Sequence, residues 1–211
     1  MGGLETQIAG RAEAKESARV LARAFQHDPV CSWIFPADGS RTRRLRRFFL
    51  AELQYSALRH GAVESATVDG GIAGVALWYP PQAWPSPTGL SALPALLLAV
   101  GRHIGTAAQF QSAAARAHPR EQPHWYLAYI GVDPAHQGRG IGSALLRSRL
   151  EHRGTGGRPA YLENSNPANA PLYERFGFRA SGALELPDGA PEVPTMWREP
   201  STSRPGRSRP A

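Results

Sequence analysis

A chain of 211 residues with 42% hydrophobic content is long enough to bury one substantial core and too short for two of ordinary size, so one domain with a terminal extension is expected. The formal charge of +7 raises nucleic-acid binding. However, Lys15 is the one lysine among 24 basic residues, a bias that spreads arginine everywhere rather than over one phosphate-facing surface, and no nucleic-acid partner is expected.

The lone cysteine, Cys31, excludes an intrachain disulfide framework and a cysteine metal site, and it fits a reducing, cytoplasmic setting. Residues 12–26 place Ala18, Leu21, Ala22 and Phe25 at helical spacing, and Asp28-Pro29 ends that helix in an aromatic-rich loop, HDPVCSWIFP. A second helix is expected over 40–59, with Arg41, Arg43, Arg44, Arg46 and Arg47 on a solvated face opposite Leu45, Phe48, Phe49 and Leu53. Residues 62–68 and 72–79 read as strands joined by the hairpin signal DGG, and Pro80, Pro81, Pro85 and Pro87 then open a loop.

Helical pattern resumes over 91–117. Its apolar stretch LSALPALLLAV falls short of the about 20 residues a bilayer span needs and contains Pro94, so a buried helix and no membrane partner are expected. The aromatic and branched run HWYLAYIGV (124–132) is a strand, followed by a glycine loop and the helical GSALLRSRLEHR. Strand-like 159–163, a short helix over 167–176 and strands at 178–186 and 194–198 complete a mixed α/β pattern, and the polar, Pro-rich residues 200–211 read as a disordered tail. One domain over 1–199 is expected.

The stretch VDPAHQGRGIGSALL sets Gly138, Gly140 and Gly142 between the strand and the helix. It is not a dinucleotide fingerprint, because Ser143 or Leu145 stands where Gly or Ala is needed, and it is not a nucleotide-hydrolase loop, which needs a lysine. Strand, glycines and helix in that order leave N–H groups at a helix start free for an anion, with Gln137 and Arg139 as added side-chain donors. A plain strand-to-helix connection is the alternative, but it would need fewer glycines.

These residues resemble the acyl-CoA-binding signature of the GNAT superfamily of N-acetyltransferases, with Gln137, Gly140 and Gly142 in the family spacing. Downstream, NSNPANAPLYERFGF resembles the second family motif through Asn166, Tyr173, Gly177 and Phe178. The resemblance is firmest over 62–198, and AFQHDPVCSWIFP with HWYLAYIGVDP is similar to the puromycin N-acetyltransferase-like branch. Asn169 departs from the superfamily's usual Ala and reads as a mark of that subgroup.

The resemblance implies a mixed, mostly antiparallel sheet flanked by helices, with strands splayed at the acyl-CoA site. It implies acetyl-CoA as co-substrate, no metal, a small-molecule amine as partner and a monomer or homodimer. It places the coenzyme against Gln137, Gly138, Arg139, Gly140, Ile141, Gly142 and Ser143, with Asn166, Asn169 and Tyr173 on the other side and the backbone of Ile130, Gly131 and Val132 on a bulged strand meeting the thioester.

Tyr173 is the expected general acid, although Leu172, Tyr173 and Phe176 also form an apolar stripe of the kind that builds cores. Glu163 is the expected base, with a solvated strand-end glutamate as the alternative. Asn166 before Pro167 reads equally as a helix N-cap. His124 and His136 show no metal-ligand spacing. Phe25, Trp33 and Phe35, with Trp84 and Phe110, are the expected walls for an aromatic or hydrophobic amine. The competing functions are a catalytically silent acyl-CoA-binding protein of the same fold and a protein N-acetyltransferase.

Overall fold

The hairpin signal DGG folds as expected: Asp69 and Gly70 both take positive φ (51° and 78°), the geometry of a tight turn whose twist matches its strands. It joins β2 (Val63–Val68) to β3 (Gly71–Tyr79), the centre of a seven-stranded sheet. The other strands are β1 (Glu5–Ile8), β4 (Trp125–Val132), β5 (Ala160–Glu163), β6 (Phe178–Ala183) and β7 (Pro194–Arg198), in the order β1-β2-β3-β4-β5-β7-β6. Every pairing is antiparallel except β4 with β5. The computed structural model describes residues 3–55, 57–60, 62–83 and 89–200, without the side chains of 89–92. Trp84, the loop prolines Pro85 and Pro87 and the tail from 201 lie outside the described residues.

Side chains alternate across a strand, so β3 can serve two cores at once. Val75, Leu77 and Tyr79 face the helices α1 (Ala14–Ala24), α2 (Pro29–Ile34) and α3 (Arg41–Tyr55), with Val100 and Ala113 closing that layer. Ala76 and Trp78 face the opposite layer, where Ile141, Leu145 and Leu146 of α6 (Ile141–Arg147) meet Tyr173 of α7 (Ala170–Arg175).

Several sequence expectations are corrected. HDPVCSWIFP is a helix, α2, rather than a loop: the Asp28 carboxylate accepts the Cys31 N–H at 2.9 Å and Pro29 takes the first turn, so the pair that ends one helix also starts the next. The arginine face of α3 is not uniformly solvated. Arg43, Arg46 and Arg47 are exposed, but Arg41 is buried and donates to Ser32 Oγ, and Arg44 pairs with Asp38 at 3.0 Å and donates to the Pro36 carbonyl.

The helical stretch 91–117 divides at Gly101 (φ 53°) into α4 (Gly89–Val100) and α5 (Ile104–Ala117). The strand beginning at Phe178 ends at Ala183, short of Leu186. The edge strand β1 had no sequence signal, because its four residues are mostly exposed and lack apolar alternation. Among the described residues no helix is long and apolar enough to cross a membrane.

Glu64 of β2 is fully buried and meets Arg149 at 2.8 Å, in ion-pair contact rather than good hydrogen-bond geometry, while the Arg149 guanidinium lies 4.6 Å from the centre of the Trp125 ring. The desolvated carboxylate depends on that arginine, with Arg153 farther off at 3.8 Å. Arg149→Met is therefore expected to cost about 3 kcal/mol of unfolding free energy in urea titration, and adding Glu64→Leu should restore most of the loss. If the single and double variants are equally destabilised, the arginine contributes packing alone.

Candidate active site

β4 and β5 pair at only two positions, Trp125↔Ala160 and Tyr126↔Tyr161, and then diverge. The divergence begins where β3 and β4 change register: Leu77 opposes Tyr129 and Trp78 opposes Leu127, which leaves Ala128 as an extra residue. Such a bulge bends and twists its strand. Beyond it Asp133 N–H donates to the Ala73 carbonyl at 2.8 Å, so by antiparallel alternation Ile130 and Val132 turn their N–H and C=O groups toward the side β5 has left. A cavity of about 1220 Å³ opens along this wedge.

At one end stands the glycine loop. Asp133 caps a 3-10 turn over Pro134–His136 by accepting the Ala135 N–H at 3.0 Å, and its other oxygen accepts from Arg23 of α1 at 2.6 Å. Burial would raise this carboxyl, but the Ala135 amide and Arg23 outweigh it and hold it below the ordinary value. Gln137 donates its side-chain amide to the Val132 carbonyl at 3.2 Å, bracing the loop against β4.

Gly138 and Gly140 are left-handed (φ 76° and 77°), and among the described residues no side chain caps α6, so the amides of Ile141, Gly142 and Ser143 lack partners from their own helix. Gly142 has no positive φ, and a Cβ there would meet Leu172 at an ordinary 3.5 Å. Gly131 lies so close to α1 that a Cβ would come within 2.8 Å of Ala24. Arg139 is exposed and does not line the cavity.

The facing wall begins at Ser165, whose hydroxyl donates to Asp28 at 2.6 Å and ties α2 to the β5–α7 connection. Asn166 accepts the Ala168 N–H at 3.2 Å, the helix-cap role its sequence allowed, and it also lines the cavity with Asn169. Tyr173 serves both readings: its ring packs edge-on against Phe178 at 6.1 Å, and the residue contributes to the cavity wall. Burial, and then the Asp28 carboxylate, raise its phenol above the usual value of 10, so it stays protonated through the neutral range.

Glu163 is not a solvated strand end. Burial raises its carboxyl to about 7, opposed by the phenols of Tyr126 and Tyr161, and its Oε1 is buried without a hydrogen-bond partner among the described residues. Phe25 lines the cavity and packs at 5.2 Å on Phe49; Phe35 lines it while almost wholly buried in the core. Trp33 is not on the cavity wall and packs against the core instead.

Three features escaped sequence reasoning. Phe48 and Tyr129 extend the aromatic wall. His118 and His124 meet ring to ring, with nitrogens 3.1 Å apart, behind Tyr126 and Tyr161; burial foremost lowers His118 to about 4. Glu52 of α3 lines the cavity, accepts weakly from the Tyr79 hydroxyl at 3.4 Å and is raised by burial to about 7. Its signal was its place on the apolar stripe of α3, one helical turn after Phe48 and Phe49. Among the described residues, no group of three or more His, Cys, Asp or Glu side chains is placed to hold a metal ion.

Residues 95–180, which contain both the glycine loop and Tyr173, match the family model of the acetyltransferase (GNAT) domain. An uncharacterized N-acetyltransferase of Schizosaccharomyces pombe is 30% identical over 209 residues, covering 92% of this chain and 84% of the relative. The chain belongs to the GNAT acetyltransferase family.

A crystal structure from Corynebacterium glutamicum, described as histone acetyltransferase HPA2 and related acetyltransferase, superposes with a TM-score of 0.75 at 29% identity over 97% of this chain and 99% of that one. An N-alpha-acetyltransferase of Mycobacterium tuberculosis, RimI, is 49% identical over 66 residues, 30% of this chain and 40% of the relative. The splayed, mostly antiparallel sheet is thus a GNAT sheet, and the family's co-substrate is acetyl-CoA. The uncapped amides of the glycine loop suit the anionic part of that co-substrate.

The two kinds of glycine in this GNAT loop separate experimentally. Gly140→Ala forces a left-handed backbone on a side chain and is expected to cost about 1–2 kcal/mol in thermal unfolding. Gly142→Ala, in open helical geometry, should leave stability unchanged or raise it. Equal losses at both positions would contradict this division.

Proposed function

We propose that this GNAT enzyme transfers the acetyl group of acetyl-CoA to the primary amine of a small molecule by direct attack within a ternary complex. The observation that carries the reading is the single wedge between β4 and β5, which joins an uncapped, glycine-lined helix start to a buried aromatic and acidic cavity.

In this reading the amides from Gly138 to Ser143, with Gln137 and Arg139 beside them, hold the pyrophosphate. Asn166 and Asn169 line the opposite side of the coenzyme. The backbone of Ile130, Gly131 and Val132 carries the acyl arm: N–H groups of Ile130 and Val132 face the thioester oxygen and stabilise the negative charge that develops there.

Glu163 takes a proton from the acceptor ammonium and leaves a neutral nitrogen to attack. Glu163 releases that proton to solvent. As the new C–N bond forms and the C–S bond breaks, Tyr173 gives its proton to the departing sulfur, the surplus proton on nitrogen passes to the freed Glu163 or to solvent, and Tyr173 regains a proton from solvent. The environments suit these roles, because burial holds one group near neutrality and keeps the other protonated. Phe25 and Phe35 form part of the acceptor wall.

Acetyl-CoA should bind at micromolar concentration in calorimetry and lose that binding in Gly140→Asp; no binding by the unaltered protein would end the reading. Tyr173→Phe should lower kcat by on the order of 100-fold while leaving coenzyme affinity in place. Because the Glu163 carboxyl is raised, its basic form is lost as pH falls through about 7 rather than through the ordinary carboxylate range. kcat should therefore rise with pH to a plateau above that value, and Glu163→Gln should abolish the rising limb. Coenzyme binding with no thiol release across a broad amine panel would favour a coenzyme-binding protein without turnover.

A further inference from the structure

Tyr79, Tyr126 and Tyr161 stand directly opposite one another on β3, β4 and β5, and successive rings lie 6.0 Å apart. Tyr79 and Tyr126 of this ladder line the cavity at the end remote from the glycine loop, with Tyr161 behind them, and each side of the ladder carries a carboxylate that also lines the cavity. Glu163 lies two residues beyond Tyr161 on β5, toward the coenzyme end, and Glu52 sits at the Tyr79 side, held by the hydroxyl contact at 3.4 Å. Two interstrand spacings separate the backbones of Tyr79 and Tyr161 by about 10 Å.

Among the described residues no arginine or histidine lies within ion-pair distance of either carboxylate; burial and neighbouring tyrosines are what act on them. The arginines that line the cavity belong elsewhere: Arg23 is tied to Asp133 beside the glycine loop, and Arg175 is exposed on α7. A carboxylate in an apolar cavity without a counter-charge holds a proton up to a raised pKa unless a cation from outside stabilises its ionised form, so an ammonium ligand there would gain a strong, otherwise unmet partner. Phe25, Phe48, Tyr129 and Phe110 line the cavity and offer apolar and aromatic surface to what lies between two charges.

We propose that Glu52 is a second cation subsite of the acceptor cavity and that the preferred acceptor is a linear diamine. One nitrogen is acetylated beside Glu163, and the other is held as an ammonium at Glu52. The proposal rests on the acetyl-transfer reading for the first nitrogen and adds the second. Glu52 acts by binding and takes no part in the proton transfers.

The test compares linear monoamines, the α,ω-diamines of the same chain length and the corresponding amino alcohols, by thiol release at pH 8. In parallel, calorimetry measures binding of each amine to the coenzyme-A-loaded protein. The diamine should exceed the monoamine and the amino alcohol by about ten-fold in kcat/KM, chiefly through KM. Glu52→Gln should remove that preference by raising the KM of the diamine, with the calorimetric Kd rising in step.

The unliganded Glu52→Gln protein should unfold at the same or a higher temperature, since an uncompensated carboxyl has been replaced by an amide that still accepts from Tyr79. Equal kcat/KM for monoamine and diamine, an amino alcohol as good as the diamine, or a preference that survives Glu52→Gln would overturn the proposal. Absence of thiol release with every amine would instead sink the acetyl-transfer reading. Calorimetry then decides Glu52 by itself: diamine binding lost in Glu52→Gln supports the subsite, and equal affinity overturns it.

Discussion

The architecture of the site follows from one fault in the sheet. A strand pair that continued in register from Trp125↔Ala160 to the end of β4 would satisfy the amides of Ile130 and Val132 and leave no room between β4 and β5. The extra residue at Ala128 prevents this, because a bulge adds twist to the strand that carries it, and the short parallel partner does not follow. One irregularity therefore creates both the cavity and the backbone N–H groups of Ile130 and Val132 that face it without a strand partner among the described residues. The unmatched peptide polarity has a cost, offset by the surrounding core: β3 buries side chains on both of its faces, and the helical layers clamp β4 from either side.

Charge within the wedge is arranged by the same burial. Near the glycine loop Asp133 is tied to Arg23, so the carboxylate nearest the expected anion is already neutralised. At the other end Glu52 and Glu163 have phenols but, among the described residues, no cation for company, and burial raises both carboxyls to about 7. The cavity thus has a donor-rich end and an acceptor-rich end, a polarity that in the proposed reading orients the anionic acyl carrier and a cationic acceptor. Tyr173 lies on the wall between the two ends. Its ring is fixed by Phe178, and its proton is retained partly by the nearby Asp28 carboxylate.

Much of this was legible in the sequence where local chemistry decides the outcome. The DGG turn, the β3 and β4 runs, the glycine loop and the Asn166-Pro167 helix start each carry a short-range signal, and each forms as read. HDPVCSWIFP misled because Asp-Pro ends one helix and caps another with the same residues. The solvated reading of Arg41 and Arg44 failed because both side chains find partners at the α2–α3 connection, Ser32, Asp38 and Pro36, which a helical wheel does not contain. Glu163 could be named but its environment could not, since that depends on Tyr126 from a different strand. Trp33 and Glu52 exchange places for a related reason: periodicity marks which side chains turn inward, but whether inward means core or cavity is decided by the wedge, a long-range property of β4 and β5.

Placing the site at the seam of two cores also joins its shape to the stability of the fold. Gly131 belongs to the strand segment that faces the wedge, yet its space is set by Ala24 on α1, while Asp133, just past the end of the same strand, is held by Arg23, the neighbouring residue of that helix. A change in how α1 rests on the sheet therefore moves the backbone at Ile130 and Val132 and the approach to the glycine loop together. On the opposite wall α2 performs the equivalent task through Asp28, which caps its own helix and grips Ser165 beside Asn166. The two N-terminal helices, which lie outside both sequence motifs, thus set the width of the wedge from opposite sides. In the proposed reading, acceptor choice therefore falls to side chains outside the two motifs, Phe25 just after α1 and Phe48 and Glu52 on α3, while the glycine loop keeps the coenzyme end unchanged.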